Sequence, residues 1–146
     1  MSSSATAGKG AEFRRWDTTT GAWVVIAEIR TIGGPNMSRA TIDVTSLDST
    51  DGYLEFLGSF RDGGSVDLAM LFLRDEYEVM KDDFEDDTLQ NYEIVLPDLE
   101  TTSLEFTGLV TELGLAIPHD DVISSDTSIK ISGPVTLNSG SGPSPA

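Results

Sequence analysis

The sequence predicts a mostly-β domain, a β-sandwich or barrel with one short flanking α-helix. Three observations predict it. Apolar residues recur at every second position in several short runs, the period of a half-buried strand. Clusters of Gly, Pro and Asp punctuate the chain between those runs. A single stretch, Arg74 to Phe84, switches to helical period.

The chain has 146 residues, enough for one domain to bury a core without staples. Residues 1–10 and 138–146 are low-complexity Ser/Gly/Ala and Ser/Gly/Pro sequence, expected to be mobile in an isolated subunit. The ordered domain is therefore expected over 11–137. Glu12 to Trp16 and Trp23 to Glu28 read as a hairpin across the turn-like Asp17–Gly21. Gly33-Gly-Pro-Asn36 then breaks the chain. Arg39 to Thr45 alternates strictly, with Ala40, Ile42 and Val44 on one face and Arg39, Thr41, Asp43 and Thr45 on the other. Leu47 to Gly64 reads as a long polar loop carrying Asp48, Asp51-Gly52, Gly58 and Asp62-Gly63-Gly64. It holds an apolar patch, Tyr53-Leu54-Glu55-Phe56-Leu57. Loops of this length in a compact domain are usually functional or disordered, and exposed apolar residues in one suggest contact with a partner.

Ser65 to Leu73 is the next strand, with Val66, Leu68, Met70 and Phe72 on one face and Asp67 on the other. The helix of 74–84 aligns Leu73, Tyr77, Met80 and Phe84 in one apolar stripe. Asp75, Glu76 and Glu78 complement its dipole near the start. Leu89 to Leu96 is a strand ended by Pro97. Ser103 to Leu113 is another, continuing to Ile117 and ended by Pro118; its polar face holds Glu105, Thr107 and Thr111. Thr127 to Ser132 is the last clear strand before Gly133-Pro134. Three strands (39–45, 65–73 and 104–111) thus carry one apolar and one polar face. An antiparallel sheet can be dry on one side and wet on the other. In a ring of subunits, such a wet face would line an aqueous channel.

Composition excludes several functions. With no cysteine there is no disulfide and no thiolate metal site. No apolar run is long enough to span a bilayer, and the first ten residues lack the apolar core of a targeting signal. The formal charge is −16, from 25 acids against 9 Lys and Arg. A nucleic-acid binder needs a basic footprint, and this chain offers only the pair Arg14-Arg15. Such acidity also argues against anionic membranes.

The candidate chemical motifs are weak. His119-Asp120-Asp121 follows Pro118 and reads as a loop; without a second histidine a zinc site is not expected. Asp82 to Asp87 lacks the glycine and the spacing of a calcium loop, so a solvated helix face and loop is the simpler reading. Carboxylate pairs able to run a glycosidase reaction prove nothing in a chain this acidic. There is no Gly-x-Ser-x-Gly elbow, phosphate loop or dinucleotide fingerprint. Trp16, Trp23, Tyr53 and Phe56 could form a sugar platform, but aromatics at strand spacing are more often core. The residues give no positive sign of an enzyme, a metal or a cofactor.

Gly33-Gly-Pro-Asn-Met-Ser-Arg-Ala-Thr-Ile-Asp-Val-Thr-Ser-Leu-Asp48 has a recognisable form: Gly-Pro-x-x-Ser-Arg, a short strand, then Asp-Val-Thr-x-Leu-Asp. Further pieces follow in order: the aromatic patch 53–57, Asp62-Gly-Gly64, a strand and short helix, Phe106-Thr-Gly108, and Ile129-Lys-Ile-Ser-Gly133. The ordered set resembles the tail tube proteins of long non-contractile, lambda-like phage tails over roughly residues 8–137. The resemblance implies a non-enzymatic subunit made in the bacterial host cytoplasm and built into the virion tail. It implies hexameric rings stacked into a hollow tube, with an inner sheet of each subunit joining a continuous β-barrel. The implied partners are copies of the chain itself, a tape-measure protein, and tail terminator and tip proteins. DNA would pass through a negative lumen without specific binding, and no membrane is involved. Some relatives carry a further immunoglobulin-like domain; its role is not carried over here, where the tube region is followed by Ser/Gly/Pro sequence.

On this reading Arg39, Thr41, Asp43, Asp67, Glu105 and Thr107 are candidate lumen-facing residues. Leu47, Asp48, Asp51, Tyr53, Leu54, Phe56, Leu57 and Asp62 are candidates for the inter-ring loop. A one-residue slip in strand phase would invert the lumen set. The alternatives are a tail terminator or connector ring protein, which caps instead of polymerising, and a monomeric β-sandwich that binds glycan or calcium.

Overall fold

The computed structural model describes residues 10–26, 29–97 and 101–139. The mobile ends expected from the sequence fall outside these residues, apart from Gly10, Asn138 and Ser139. Nine strands and one α-helix are described. They are β1 (Glu12–Asp17), β2 (Ala22–Ile26), β3 (Ile29–Gly33), β4 (Ser38–Asp43), β5 (Phe56–Asp62), β6 (Ser65–Leu71), α1 (Arg74–Glu85), β7 (Gln90–Val95), β8 (Thr102–Ala116) and β9 (Ser124–Ser139). Seven strands form one sheet in the order β2-β1-β7-β8-β9-β6-β3, and β4 pairs with β5 in a separate ribbon. Every pairing is antiparallel.

The connection between β2 and β3 shapes the sheet. These strands lie at its opposite edges, yet only two residues separate Ile26 from Ile29. Three peptide steps span at most about 11 Å, so the sheet must roll until its edges approach. The rolled interior holds the core. Val66, Leu68 and Met70 of β6, Phe106 and Val110 of β8, and Ile129 and Ile131 of β9 are buried there with Phe13, Tyr92 and Met80. Phe13 stacks on Tyr92 with ring centroids 5.5 Å apart. Gly108 faces this interior, where a Cβ would stand 2.6 Å from the Lys130 carbonyl oxygen; only glycine lets β8 and β9 approach so closely.

The mostly-β architecture with one helix is the one the sequence predicts, but several elements differ. The 23–28 strand ends at Ile26 as described, and Ala27 and Glu28 lie outside the described residues. Strand β3 has no counterpart among the strands the sequence predicts, because it runs directly into Gly33-Gly-Pro-Asn36, which reads as a break. Strand β9 runs through Gly133-Pro134 to Ser139 instead of stopping at Ser132. A register shift absorbs the proline: Glu105 pairs with Thr136, and Thr107 with Ser132. Strand β6 covers β9 only from Ser124 to Lys130, so Pro134 faces no ladder on its other side.

Two expectations are overturned more sharply. The stretch 39–45 has no dry face: every residue of β4 is exposed, Ala40 and Ile42 included. The reason is topological, since β4 pairs only with β5 and packs on no core. The expected loop of 47–64 is half strand, with Phe56 to Asp62 forming β5. Gly58 is therefore not a turn residue. The guanidinium of Arg39 lies across it, where a Cβ would come within 2.1 Å of Nη2.

Helix α1 covers 74–85, as expected, but it is turned about its axis. Leu73 and Phe84 are exposed, while Met80 and Asp83 are buried. Asp83 is only 2% exposed because two groups in the rolled sheet hold its carboxylate. Arg15 donates from Nε and Nη2 at 2.7 and 2.6 Å, and the Tyr92 hydroxyl donates at 2.9 Å.

Candidate functional site

The candidate lumen residues separate into two groups. Asp67, Glu105 and Thr107 share the outer face of the seven-stranded sheet, opposite the core. Alternation puts them there: Asp67 sits between buried Val66 and Leu68, and Phe106 points inward between Glu105 and Thr107. Register links the strands across this face, in the rows Thr107–Ser132, Leu109–Lys130–Ser65 and Glu112–Ser128–Asp67. The Ser128 hydroxyl donates to Asp67 at 2.6 Å, and the Thr107 hydroxyl donates to Asn91 at 3.1 Å. Asp126, exposed on β9, adds a further carboxylate. Arg39, Thr41 and Asp43 lie apart from this face, on the β4–β5 ribbon. Asp43 is occupied in a local turn, accepting the Thr45 backbone N–H at 2.8 Å.

At the β7 end of the face the electrostatics change. Arg14, Glu93 and Glu105 stand in one cross-strand row. Glu93 is fully buried and lies 3.5 Å from Arg14, which also pairs with Glu12 at 2.8 Å. Burial, reinforced by the Glu93 carboxylate, raises the Glu105 pKa above its ordinary value. Sequence reasoning missed Glu93 and the Arg15–Asp83–Tyr92 cluster. The one available signal was an acid inside an otherwise apolar strand, Tyr92-Glu-Ile-Val95.

The inter-ring candidates gather on the ribbon. Its ladder extends past the strands: the Val44 N–H donates to the Glu55 carbonyl at 2.9 Å, and the Glu55 N–H donates to the Thr45 hydroxyl at 2.7 Å. This leaves a compact tip carrying Leu47, Asp48, Asp51, Tyr53 and Leu54. Asp51 adopts a left-handed conformation, φ 57°, in a short 3-10 turn. Leu47, Tyr53, Leu54, Phe56 and Leu57 are all exposed, Tyr53 at 73%. The sequence reading did not single out Met37 or Phe60, which extend the patch; Phe60 is 91% exposed. Asp62 plays a different part. It accepts the Gly64 N–H at 2.8 Å and pairs with Lys130 at 3.0 Å, fastening the ribbon base to β9. Those same bonds, the Gly64 N–H first, lower its pKa.

Among the described residues no nucleophile–base pair is aimed at a cleft. The arrangement offers an exposed apolar ribbon and an acid-bearing sheet face, which are features of a surface that assembles. His119 is exposed on the β8–β9 connection, where the Asp121 carboxylate accepts the Val122 N–H at 2.7 Å.

Comparison with known proteins agrees with that reading. The family model for phage tail tube proteins matches residues 17–137. The tail of an empty gene transfer agent particle, refined with helical C6 symmetry, contains a chain similar to this one at 25% identity and TM-score 0.75; the match covers 92% of this chain and 99% of that one. A chain of the native gene transfer agent virion is similar at 24% identity and TM-score 0.72, again covering 92% and 99%. The fold is also that of the SPP1 tail tube, at 10% identity and TM-score 0.69, covering 92% of this chain and 80% of that one. No curated protein matches the chain significantly. The chain belongs to the phage tail tube protein family and is a structural, non-enzymatic component of a virion tail.

Proposed function

We propose that this chain assembles into stacked hexameric rings whose acid-lined channel holds a tape-measure protein and then conducts DNA. The observation that carries the reading is the ribbon. A hairpin that packs on no core, with Tyr53, Leu54, Phe56, Leu57 and Phe60 in solvent, is explained by burial against another copy. The outer face supports the channel. Asp67, Glu93, Glu105, Glu112 and Asp126 accompany Lys130 and Arg14 there, a balance that repels phosphates. The C6 symmetry of the similar gene transfer agent tail supports six subunits per ring. Strands β2 and β3 end the sheet at its edges and are the strands available for pairing across a ring.

Electron microscopy of the purified chain tests this reading. Long hollow tubes of sixfold symmetry are expected; single rings would instead make it a terminator, and persistent monomers would sink both. Replacing Tyr53 and Phe56 with Ser should abolish stacking while moving the stability of the isolated subunit by no more than about 0.5 kcal/mol. Unchanged tube yield would remove the ribbon from the inter-ring contact.

A further inference from the structure

We propose that Arg39 and Arg61 form a docking pair for the acidic stripe of helix α1 on a second copy of this chain. The proposal rests on the self-assembly above and names one of its contacts. Arg39 and Arg61 stand directly opposite each other across β4 and β5. Like charges in that position repel, and a counter-charge between them would offset that repulsion. Arg14, Arg15, Lys81 and Lys130 each hold a carboxylate. Among the described residues Arg30, Arg39, Arg61 and Arg74 hold none, and of these four only Arg39 and Arg61 face each other across a ladder. The pair borders a groove lined also by Met37, Pro134, Val135 and Asp62, whose carboxylate is held by Lys130, and the bed for the Arg39 guanidinium is open only because residue 58 is glycine. Two guanidinium forks beside an apolar floor suit partly desolvated carboxylates.

Helix α1 supplies such carboxylates. Asp75, Glu78 and Asp82 fall at i, i+3 and i+7, one stripe about 10 Å long. All are exposed, because the opposite side of the helix buries Met80 and Asp83. Among the described residues none of the three is in an ion pair. A second copy suits the pair better than nucleic acid does. The ribbon that carries these arginines also carries Asp43, Asp48, Asp51, Glu55 and Asp62. A polyphosphate laid along it would meet those acids, whereas a short carboxylate stripe at the pair would meet only Asp62, which Lys130 already holds. Arg39, expected at the channel wall, is thereby assigned to a subunit contact, and the wall loses a cation that would retain DNA.

The test is charge reversal and restoration in the full-length chain, with tube formation followed by sedimentation and electron microscopy. R39E/R61E should need well over about tenfold more protein to form tubes, since like charges then face each other at the contact. Its circular dichroism should match the parent, because both sites are in solvent. The fourfold variant R39E/R61E/E78R/D82R should form tubes again near the parental concentration. If R39E/R61E does not fold, R39Q/R61Q, which introduces no repulsion, should still raise that concentration severalfold. Parental tube formation by either arginine variant would overturn the pairing, as would a folded fourfold variant that stays unassembled. Retention of duplex DNA by the parent that R39E/R61E loses would give the pair to phosphate and also overturn it. A parent that forms no tubes would defeat the tube reading itself, a result distinct from all of these.

Discussion

Asp83 shows how a single carboxylate can fix the placement of a helix. It accepts two hydrogen bonds from Arg15 and one from Tyr92, and its hydrogen bond raises the Arg15 pKa above its ordinary value. Burial, followed by the Asp83 charge, pushes the Tyr92 hydroxyl pKa well up. Asp83→Ala would leave a half-buried guanidinium and a buried phenol without their partner, and should cost about 3 kcal/mol in urea unfolding of the isolated subunit. Tyr92→Phe removes only one donor and should cost about 1 kcal/mol; equal losses would show that the charge pair does not dominate. Glu105 gives a pH signature. Its folded-state pKa is raised, so the folded chain holds that proton more tightly than the unfolded chain does. Stability should therefore rise as pH falls through the raised pKa and level off below the pKa of the unfolded chain. Asp17, Asp43, Asp62 and Asp86 have lowered pKa values, so the stability they contribute is lost below about pH 4. Glu105→Gln should melt higher than the parent at neutral pH and lose the rise on mild acidification while keeping the acid loss. A lower melting point at neutral pH would exclude repulsion from Glu93.

Among the elements, strands facing one core were the most legible from sequence. Val66-Asp-Leu-Ala-Met70 alternates because β6 is dry on one side only, and the pattern carries that fact directly. The ribbon was half legible. Its apolar patch at 53–57 is exposed, as a patch in a polar loop suggests, but Gly58 and Asp62-Gly-Gly64 read as loop punctuation when they serve a strand and its turn. Pattern alone could not separate β4, whose alternation faces solvent on both sides, from a strand over a core. The helix was placed in sequence but misread in rotation, since apolar spacing favoured Phe84 over Asp83. Nothing local records that Arg15, 68 residues away, would claim the acid. The turn between β5 and β6 makes a prediction at this scale. Gly64 has φ 79°, and a Cβ there would fall 2.0 Å from the Asn36 carbonyl oxygen. Its own carbonyl accepts the Ile131 N–H at 3.0 Å, so it ties the ribbon base to β9. Gly64→Ala should destabilise by more than about 1 kcal/mol and raise amide exchange at Ile131. A variant with parental stability would show that this turn can adapt.

At the scale of the whole molecule, a net charge of −16 has to be reconciled with self-association. Screening shortens the reach of like charges to about 10 Å at 0.1 M salt, so subunits can meet through apolar and paired patches while their remaining acids stay solvated. The remaining acids then matter where stacking concentrates them. If the outer face of β6, β8 and β9 is the channel wall, each ring repeats Asp67, Glu105, Glu112 and Asp126 around one axis, and a passing duplex finds little to bind. Reversing that balance should convert a slide into a trap. Glu112 and Asp126 are exposed on this face and belong to neither the core nor the ribbon, so Glu112→Lys with Asp126→Lys should leave folding and tube yield intact. Tubes of that variant should co-sediment with short labelled duplex DNA at low salt and release it steeply as salt rises, the mark of counterion release, while parental tubes should retain none. Lysines placed instead at Glu85 and Asp87, exposed at and just past the end of α1 and outside the seven-stranded sheet, make the same change of charge and serve as the control. DNA retained equally by both variants would mean only that the tube had become less acidic, and the face would lose its claim to the channel. Retention confined to the 112/126 variant would place that face around the conducted genome.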